Sequence, residues 1–335
     1  MPVPGAGELR SQIHRYLLDF LPRPEDARRP ELAEYARLLR DYPERGGKML
    51  RGALCLYAAL AHGASFERAL PVAAALELFQ NWALVHDDIE DGSEERRGRP
   101  TLHRLYGVPL ALNAGDALHA FMWALLVHAK APQPVFSEFA ELSTRTARGQ
   151  HLEISWLEAA RFDLTGADYL EMVSDKAAYY TAAAPLRLGA LIVGEAPPPL
   201  YLDAGLKLGT GFQIMDDVLN LAGDNEKYGK EIAGDVWEGK RTLILLHYLR
   251  SCAPEERSKA ERLLRTVRES KKAGEVAWLH SRLLHSGAVQ HARGVAEKLL
   301  AEGLSELKSS FKGLPNQEAA LALWDLLETL VRREA

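Results

Sequence analysis

Two helical segments of this chain are apolar nearly all round and then run into carboxylates. From Val72 to Val85 the polar side chains are Glu77, Gln80 and Asn81, and the segment ends in His86-Asp87-Asp88-Ile89-Glu90-Asp91. The pattern returns between Tyr201 and Ala222, with Phe212-Gln213-Ile214-Met215-Asp216-Asp217 toward the end. A helix without a polar face lies in the middle of a bundle. Acids at its C-terminal end oppose the macrodipole and are unfavourable there without a counter-ion.

The rest of the chain supplies the bundle. Helical spacing covers 9–20, 31–42, 47–62, 66–91, 109–130, 134–160, 167–194, 201–222, 240–250, 255–268, 273–282, 286–312 and 316–333, in segments rich in Ala, Leu, Glu and Arg. No alternating Val/Ile/Thr stretch argues for a strand, and no fixed period argues for a solenoid. The expected fold is all-α, with roughly a dozen helices, and the length suits one large domain or two ordinary ones. The charge balance is 41 − 46 = −5, which argues against a nucleic-acid binder held by a general basic surface. The charge-free apolar stretch Ala117 to Ala129 is too short to span a bilayer and contains His119 and His128. The start MPVPGAGELR lacks a secretory pattern, and two cysteines, Cys55 and Cys252, cannot build a disulfide framework. A cytoplasmic location is the expectation.

On a helix, Asp87 and Asp91 project about 40° apart, with Asp88 about 100° from Asp87. The first two can therefore reach one divalent cation or a pair of them, and Asp216 and Asp217 repeat the arrangement. Hard oxygen ligands of this kind suit Mg²⁺, which shares its coordination with waters and substrate phosphates. One such run alone reads as a solvated helix end; two, each behind an apolar helix, point to metal. Basic residues stand close by. Lys48 and Arg51 are three apart behind the Gly46-Gly47 pair, on one face of the expected 47–62 helix. Arg96-Arg97-Gly98-Arg99 follows the first acidic run, and Lys227, Lys230, Lys240 and Arg241 bracket Asp235 after the second. In such places Lys and Arg read as diphosphate clamps, although Lys227 and Arg99 read as solvated surface charge.

Five segments carry a family resemblance: GGKMLRG (46–52), HDDIEDGSEERRGRPTLH (86–103), NAGDALHA (113–120), GFQIMDDVLN (211–220) and KYGKEIAGDVWEGKRT (227–242). In order and spacing they resemble the trans-isoprenyl diphosphate synthases, over about the middle three-fifths of the chain. One DDxxD would be weak evidence; five segments in register are strong. The resemblance implies one all-helical domain over residues 1–335, an isoprenoid-synthase bundle around a central active-site cavity, that joins isopentenyl diphosphate head to tail to an allylic diphosphate. It implies three Mg²⁺ ions held with substrate by the two aspartate runs, and a homodimer. Metals and Lys/Arg would neutralise the departing diphosphate, and apolar walls would shelter the allylic cation.

Carried over by position, Asp87, Asp91 and Asp216 match metal ligands, with Asp88 and Asp217 supporting. Arg96, Lys176, Lys230 and Lys240 match positions that grip the allylic diphosphate. Lys48, Arg51 and Arg97 match those that hold isopentenyl diphosphate, and Gln213 one near the reacting allylic group. The chain departs from the family pattern at Asn220, where a third acid is usual, at Gln80, where His is usual, and at Ala177, where Thr is common. Gln80 lies about 20° from Asp87 on the wheel and can still face a diphosphate. His86 reads as a packing residue, since imidazole prefers softer metals. The Gly149-Gln150-His151-Leu152-Glu153 stretch resembles a family segment but reads as helix packing, and Met122, Trp123 and Cys55 read as core.

A terpene cyclase would share the acids but needs no Lys48/Arg51 pair, and a di-iron bundle needs Glu-x-x-His pairs, which the chain lacks. A non-catalytic partner subunit is opposed by the retained acids and lysines. For product length, Ala83 leaves room below Asp87, and Trp82, about 7.5 Å deeper, is the largest block. Phe79, about 12 Å deeper, is the next. Trp82 lies about 140° from Asp87, so either aromatic can be the floor. The family pattern of one aromatic at Trp82 implies the C20 product, geranylgeranyl diphosphate, with farnesyl or C25 products as alternatives.

Overall fold

The computed structural model describes residues 3–223 and 233–332. Helices α1 (Ala6–Phe20), α2 (Pro30–Glu44), α3 (Leu50–Ala61) and α4 (Phe66–Glu90) lead to a short hairpin of β1 (Glu95–Arg96) and β2 (Arg99–Pro100). Then come α5 (Leu102–Tyr106), α6 (Val108–His128), α7 (Gln133–Glu158) and α8 (Gly166–Val173), a π-helical segment Ser174–Ala183, α9 (Ala184–Val193) and α10 (Leu200–Ala222). The last part holds α11 (Gly234–Glu238), α12 (Leu243–Ser251), α13 (Pro254–Arg265), α14 (Ala273–His285), α15 (Ala288–Ser310) and α16 (Gln317–Arg332). The fold is all-α, as its sequence patterning requires.

The two apolar helices are central. α4 packs on α6, α3 and α1, while α10 lies between the π-helical segment and α15. One apolar core runs from Leu9 to Leu327. Small residues set its closest approaches: a Cβ on Gly149 of α7 would sit 2.2 Å from the Lys176 backbone nitrogen.

Three expectations need correcting. The 47–62 helix starts at Leu50, because Gly46, Gly47 and Met49 all take positive φ, with Met49 at 44°. Lys48 therefore precedes the helix and shares no helical face with Arg51. The 167–194 helix is not continuously α-helical; ten residues from Ser174 are wound as π-helix, a feature often found where function demands a particular side-chain direction. Where no strand was expected, the loop after α4 contains a two-residue ladder pairing Glu95 with Pro100 and Arg96 with Arg99. Helix α6, Val108–His128, falls close to the expected 109–130 and, by length and composition alone, is apolar enough to cross a membrane, as core helices of bundles also are. In the fold it packs along α4 and carries Asp116 near its middle.

Candidate active site

Both acidic helix ends open on one cavity of about 720 Å³. Asp87 and Glu90 line it from α4, Asp216 and Asp217 from α10, and Asp235 from α11. Its cationic lining is Arg51, Arg96, Arg97, Lys176 and Lys240. Lys48 is exposed and lies outside this lining. Lys227 and Lys230 lie outside the described residues.

Lys176 is the pivot. Its ammonium stands 3.1 Å from Asp87 Oδ1 and forms a close ion pair with Glu153 Oε2 of α7. Burial alone would discharge it, but Asp87 and Glu153 hold its pKa above the ordinary lysine value. Burial likewise pushes the Asp87 carboxyl up, and Lys176, Lys240 and Arg96 overcome that and hold it well below the usual carboxylate range. Across the cleft, Lys240 Nζ lies 2.7 Å from Asp91 Oδ2 and 3.1 Å from Glu238 Oε2.

One oxygen each of Asp87, Asp91 and Glu153 fall within 4.8 Å of one another. Asp87 Oδ1 and Asp91 Oδ2 are buried and accept no hydrogen bond of good geometry, only the ammonium charges nearby. Burial, reinforced by Asp87 and Glu238, holds the Asp91 carboxyl above its ordinary range against the pull of Lys240. This oxygen set is short of positive charge, and its chemistry fits Mg²⁺. Glu153 was read from the sequence only as packing. Its signal was the polar stripe Thr146, Gln150, Glu153, whose helical spacing turns all three into the cavity.

Asp88 and Asp217 face other partners. Asp88 is 1% exposed; it accepts the Tyr42 hydroxyl at 2.5 Å and is gripped by the Arg96 guanidinium. Arg96, expected to be a diphosphate clamp, is therefore already paired, with its Nη2 3.7 Å from Asp87. Asp217 accepts from the Tyr169 hydroxyl at 2.7 Å and from Gln213 at 2.9 Å. Burial pushes its carboxyl up to about 6, with Asp216 adding to the shift. Asn220 accepts the backbone N–H of Asp235 at 3.2 Å, so it ties the end of α10 to the start of α11.

The other end of the cavity is basic. Arg51 donates to Thr181 at 2.8 Å and lies over the Tyr180 ring, 4.6 Å from its centroid. Arg97, at φ 55°, donates to the Tyr42 carbonyl at 2.6 Å. Arg45 holds the hairpin that carries it, through the carbonyls of Arg96 and Pro100, both at 2.8 Å. Gln80 reaches the same wall, and its buried Oε1 has no partner among the described residues.

Trp82 and Ala83 line the cavity, whereas Phe79 is fully buried behind Trp82 and Tyr180. The Trp82 ring lies against His119 of α6, 4.6 Å between centroids, and His119 meets Trp123 in turn. His86 borders the cavity with Nε2 3.5 Å from Asp116. Met122 and Cys55 are buried in the core, and Trp123 is partly buried against it.

Residues 33–283 match the family model described as polyprenyl synthetase. The chain is 33% identical over 299 residues to the geranylgeranyl diphosphate synthase of Sulfolobus acidocaldarius, covering 86% of this chain and 87% of that one. It is 34% identical over 271 residues to the geranylfarnesyl diphosphate synthase of Natronomonas pharaonis, covering 79% and 75%. Among solved structures, geranylgeranyl pyrophosphate synthase from Corynebacterium glutamicum, complexed with isoprenyl diphosphate and magnesium, superposes with a TM-score of 0.85 at 26% identity, covering 98% of this chain and all of that one.

Proposed function

We propose geranylgeranyl diphosphate as the product of this chain, which belongs to the polyprenyl synthetase family and is a trans-prenyltransferase. The observation that carries the reading is the facing of two acid-bearing helix ends across a cavity that also holds five Lys and Arg side chains: Arg51, Arg96, Arg97, Lys176 and Lys240. Lys176 and Lys240 stand among the acids, while Arg51 and Arg97 lie apart from them and can serve a second diphosphate.

The allylic diphosphate would lie between Asp87 and Asp91 on one side and Asp216 on the other, with Lys176 and Lys240 in reach. Asp87, Asp91 and Asp216, with Glu153 adjacent, would hold Mg²⁺, which when bound would supply charge neutralisation for the leaving diphosphate. Lys176 and Lys240, both largely buried, add fixed positive charge where it acts more strongly than in water. The allylic carbon–oxygen bond breaks, the isopentenyl double bond supplies the electrons of the new carbon–carbon bond, and a proton then leaves to the departing diphosphate. Arg51 and Arg97 would hold isopentenyl diphosphate, with Gln80 donating to it; Lys48 would approach from outside the lining. Val173, Ala177 and Phe212 present no nucleophile to a cation. Purified chain incubated with Mg²⁺, isopentenyl diphosphate and an allylic primer should yield a prenyl diphosphate. No product would remove the catalytic reading and leave a partner-subunit role.

Arg51→Ala should raise the Michaelis constant for isopentenyl diphosphate by about 10- to 100-fold, the scale of one or two charge-assisted hydrogen bonds. The allylic constant should change little. Initial-rate kinetics with each substrate varied check this, and the reverse pattern would reassign the two ends of the cavity.

Product length rests on Trp82. Because it lines the cavity and is backed by His119, it closes the path that Ala83 leaves open. Trp82→Ala should shift the main product by at least one isoprene unit, since the stop is steric. Chromatography of dephosphorylated products reads the shift directly. An unchanged product from Trp82→Ala with a longer one from Phe79→Ala would make Phe79 the floor.

Val108, Leu110, Leu112 and Val127 of α6 are exposed apolar side chains. They support a homodimer joined along α6, which light scattering at working concentration tests. The two cysteines are both free, in keeping with a reducing, cytoplasmic setting.

A further inference from the structure

Lys271 lies more than thirty residues beyond the second acidic run, in a part of the sequence without a recognisable motif, and is only 8% exposed. Burying an ammonium is costly unless it is fully hydrogen-bonded, so its partners matter. Nζ donates to the Val236 carbonyl at 2.9 Å and to the Trp237 carbonyl at 2.5 Å. These are carbonyls at the C-terminal end of α11, where a cation is favoured by the helix dipole. Burial, then Arg268 and Arg241, push the amine down to about 8, with Glu238 opposing them.

Two more cations gather at the same place. Arg241, 1% exposed, donates from Nη1 to the Gly239 carbonyl and from Nε to the Arg161 carbonyl at 2.7 Å. Arg268 Nη1 lies 3.7 Å from Glu238 Oε1. Glu238 itself accepts from Ser93 of the loop after α4 at 2.9 Å and pairs with Lys240. The segment from Val236 to Gly239 is thus held from behind through its carbonyls, and from in front through Glu238. Its next residue, Lys240, is delivered to Asp91.

We propose that Lys271 is a positioning residue: it seats α11 so that Lys240 and Glu238 stand against the first acidic helix end at the allylic diphosphate. Without it, two buried carbonyls lose their donor, α11 loosens, and Lys240 no longer holds one position. The proposal rests on the assignment of Lys240 to the allylic diphosphate, and the experiment separates the two.

Lys271→Met keeps the aliphatic stem and removes the donors; Lys271→Arg restores a cation and donors. The expected result is a rise of about tenfold or more in the allylic Michaelis constant for Lys271→Met, the constant for isopentenyl diphosphate staying within about twofold, and partial recovery in Lys271→Arg. In a Lys240→Ala background the Met substitution should have almost no further effect, because the two act in series. Hydrogen exchange of the substrate-free protein should show faster exchange across 236–240 in the Met variant. Additive effects of Lys271→Met and Lys240→Ala, or equal changes in both constants, would overturn the proposal. Unchanged exchange across 236–240 would overturn it too. If Lys240→Ala alone leaves the allylic constant unchanged while exchange still rises across 236–240, the assignment of Lys240 fails and the seat itself stands.

Discussion

Alanine at Asp87 or at Asp216 should lower turnover by roughly a thousandfold or more, about 4 kcal/mol of transition-state stabilisation. Each acid ends one of the two helices that face each other across the cavity, and no other described side chain can replace either from the same position. The fold should survive the change at Asp87. Lys176 keeps Glu153 when Asp87 is removed, so no buried ammonium is stranded, and circular dichroism and melting temperature should stay close to those of the parent. Single-turnover formation of the carbon–carbon bond is the proper measurement, since it excludes product release. A rate within tenfold of the parent for either variant would mean that the metal is held elsewhere.

The second large effect is on stability. Gly149→Ala should cost about 3 kcal/mol and several degrees of melting temperature, as overpacking does when neither partner can yield. Its Cβ would meet backbone atoms of Lys176, at 2.2 Å from the nitrogen and 2.6 Å from Cα, and a backbone cannot rotate away as a flexible side chain can. Activity should fall beyond the loss of stability, because the clash pushes on the residue that pairs Asp87 with Glu153. The same substitution at Gly294, inside α15 with nothing within 4 Å of its would-be Cβ, should stabilise by up to about 1 kcal/mol. Thermal melts of both variants check the pair. Equal shifts would mean that helix propensity, and not the α7 contact, governs the result.

The helices and the acids were legible because both are written as local pattern. The apolar run before Asp87 and the one before Asp216 each specify burial, and the acids at their ends stand out against it. The π-helical winding at Ser174–Ala183 was not legible, since its sequence, SDKAAYYTAA, has ordinary helical composition. Its cause is tertiary: α7 approaches at Gly149, and Asp175 is drawn toward Arg145 and Arg148 of that helix. The start of α3 was misplaced because glycines at 46 and 47 permit either a helix or the left-handed turn observed. Asp88 and Asp217 resemble their neighbours in sequence, and only Tyr42, Arg96 and Tyr169, brought in from elsewhere in the chain, give them separate work. Lys271 had no local signal at all, because its partners are backbone carbonyls.

The pairing of Lys176 with Asp87 and Glu153, and of Lys240 with Asp91 and Glu238, also bears on how the protein survives between turnovers. Proteins whose acidic or thiolate clusters are neutralised by a metal alone unfold when a chelator takes it away. Here the polypeptide carries two internal counter-ions, Lys176 and Lys240, so the four carboxylates they pair with repel one another less than they otherwise would. Prolonged dialysis against a chelator should therefore leave a folded protein that regains activity when magnesium is restored.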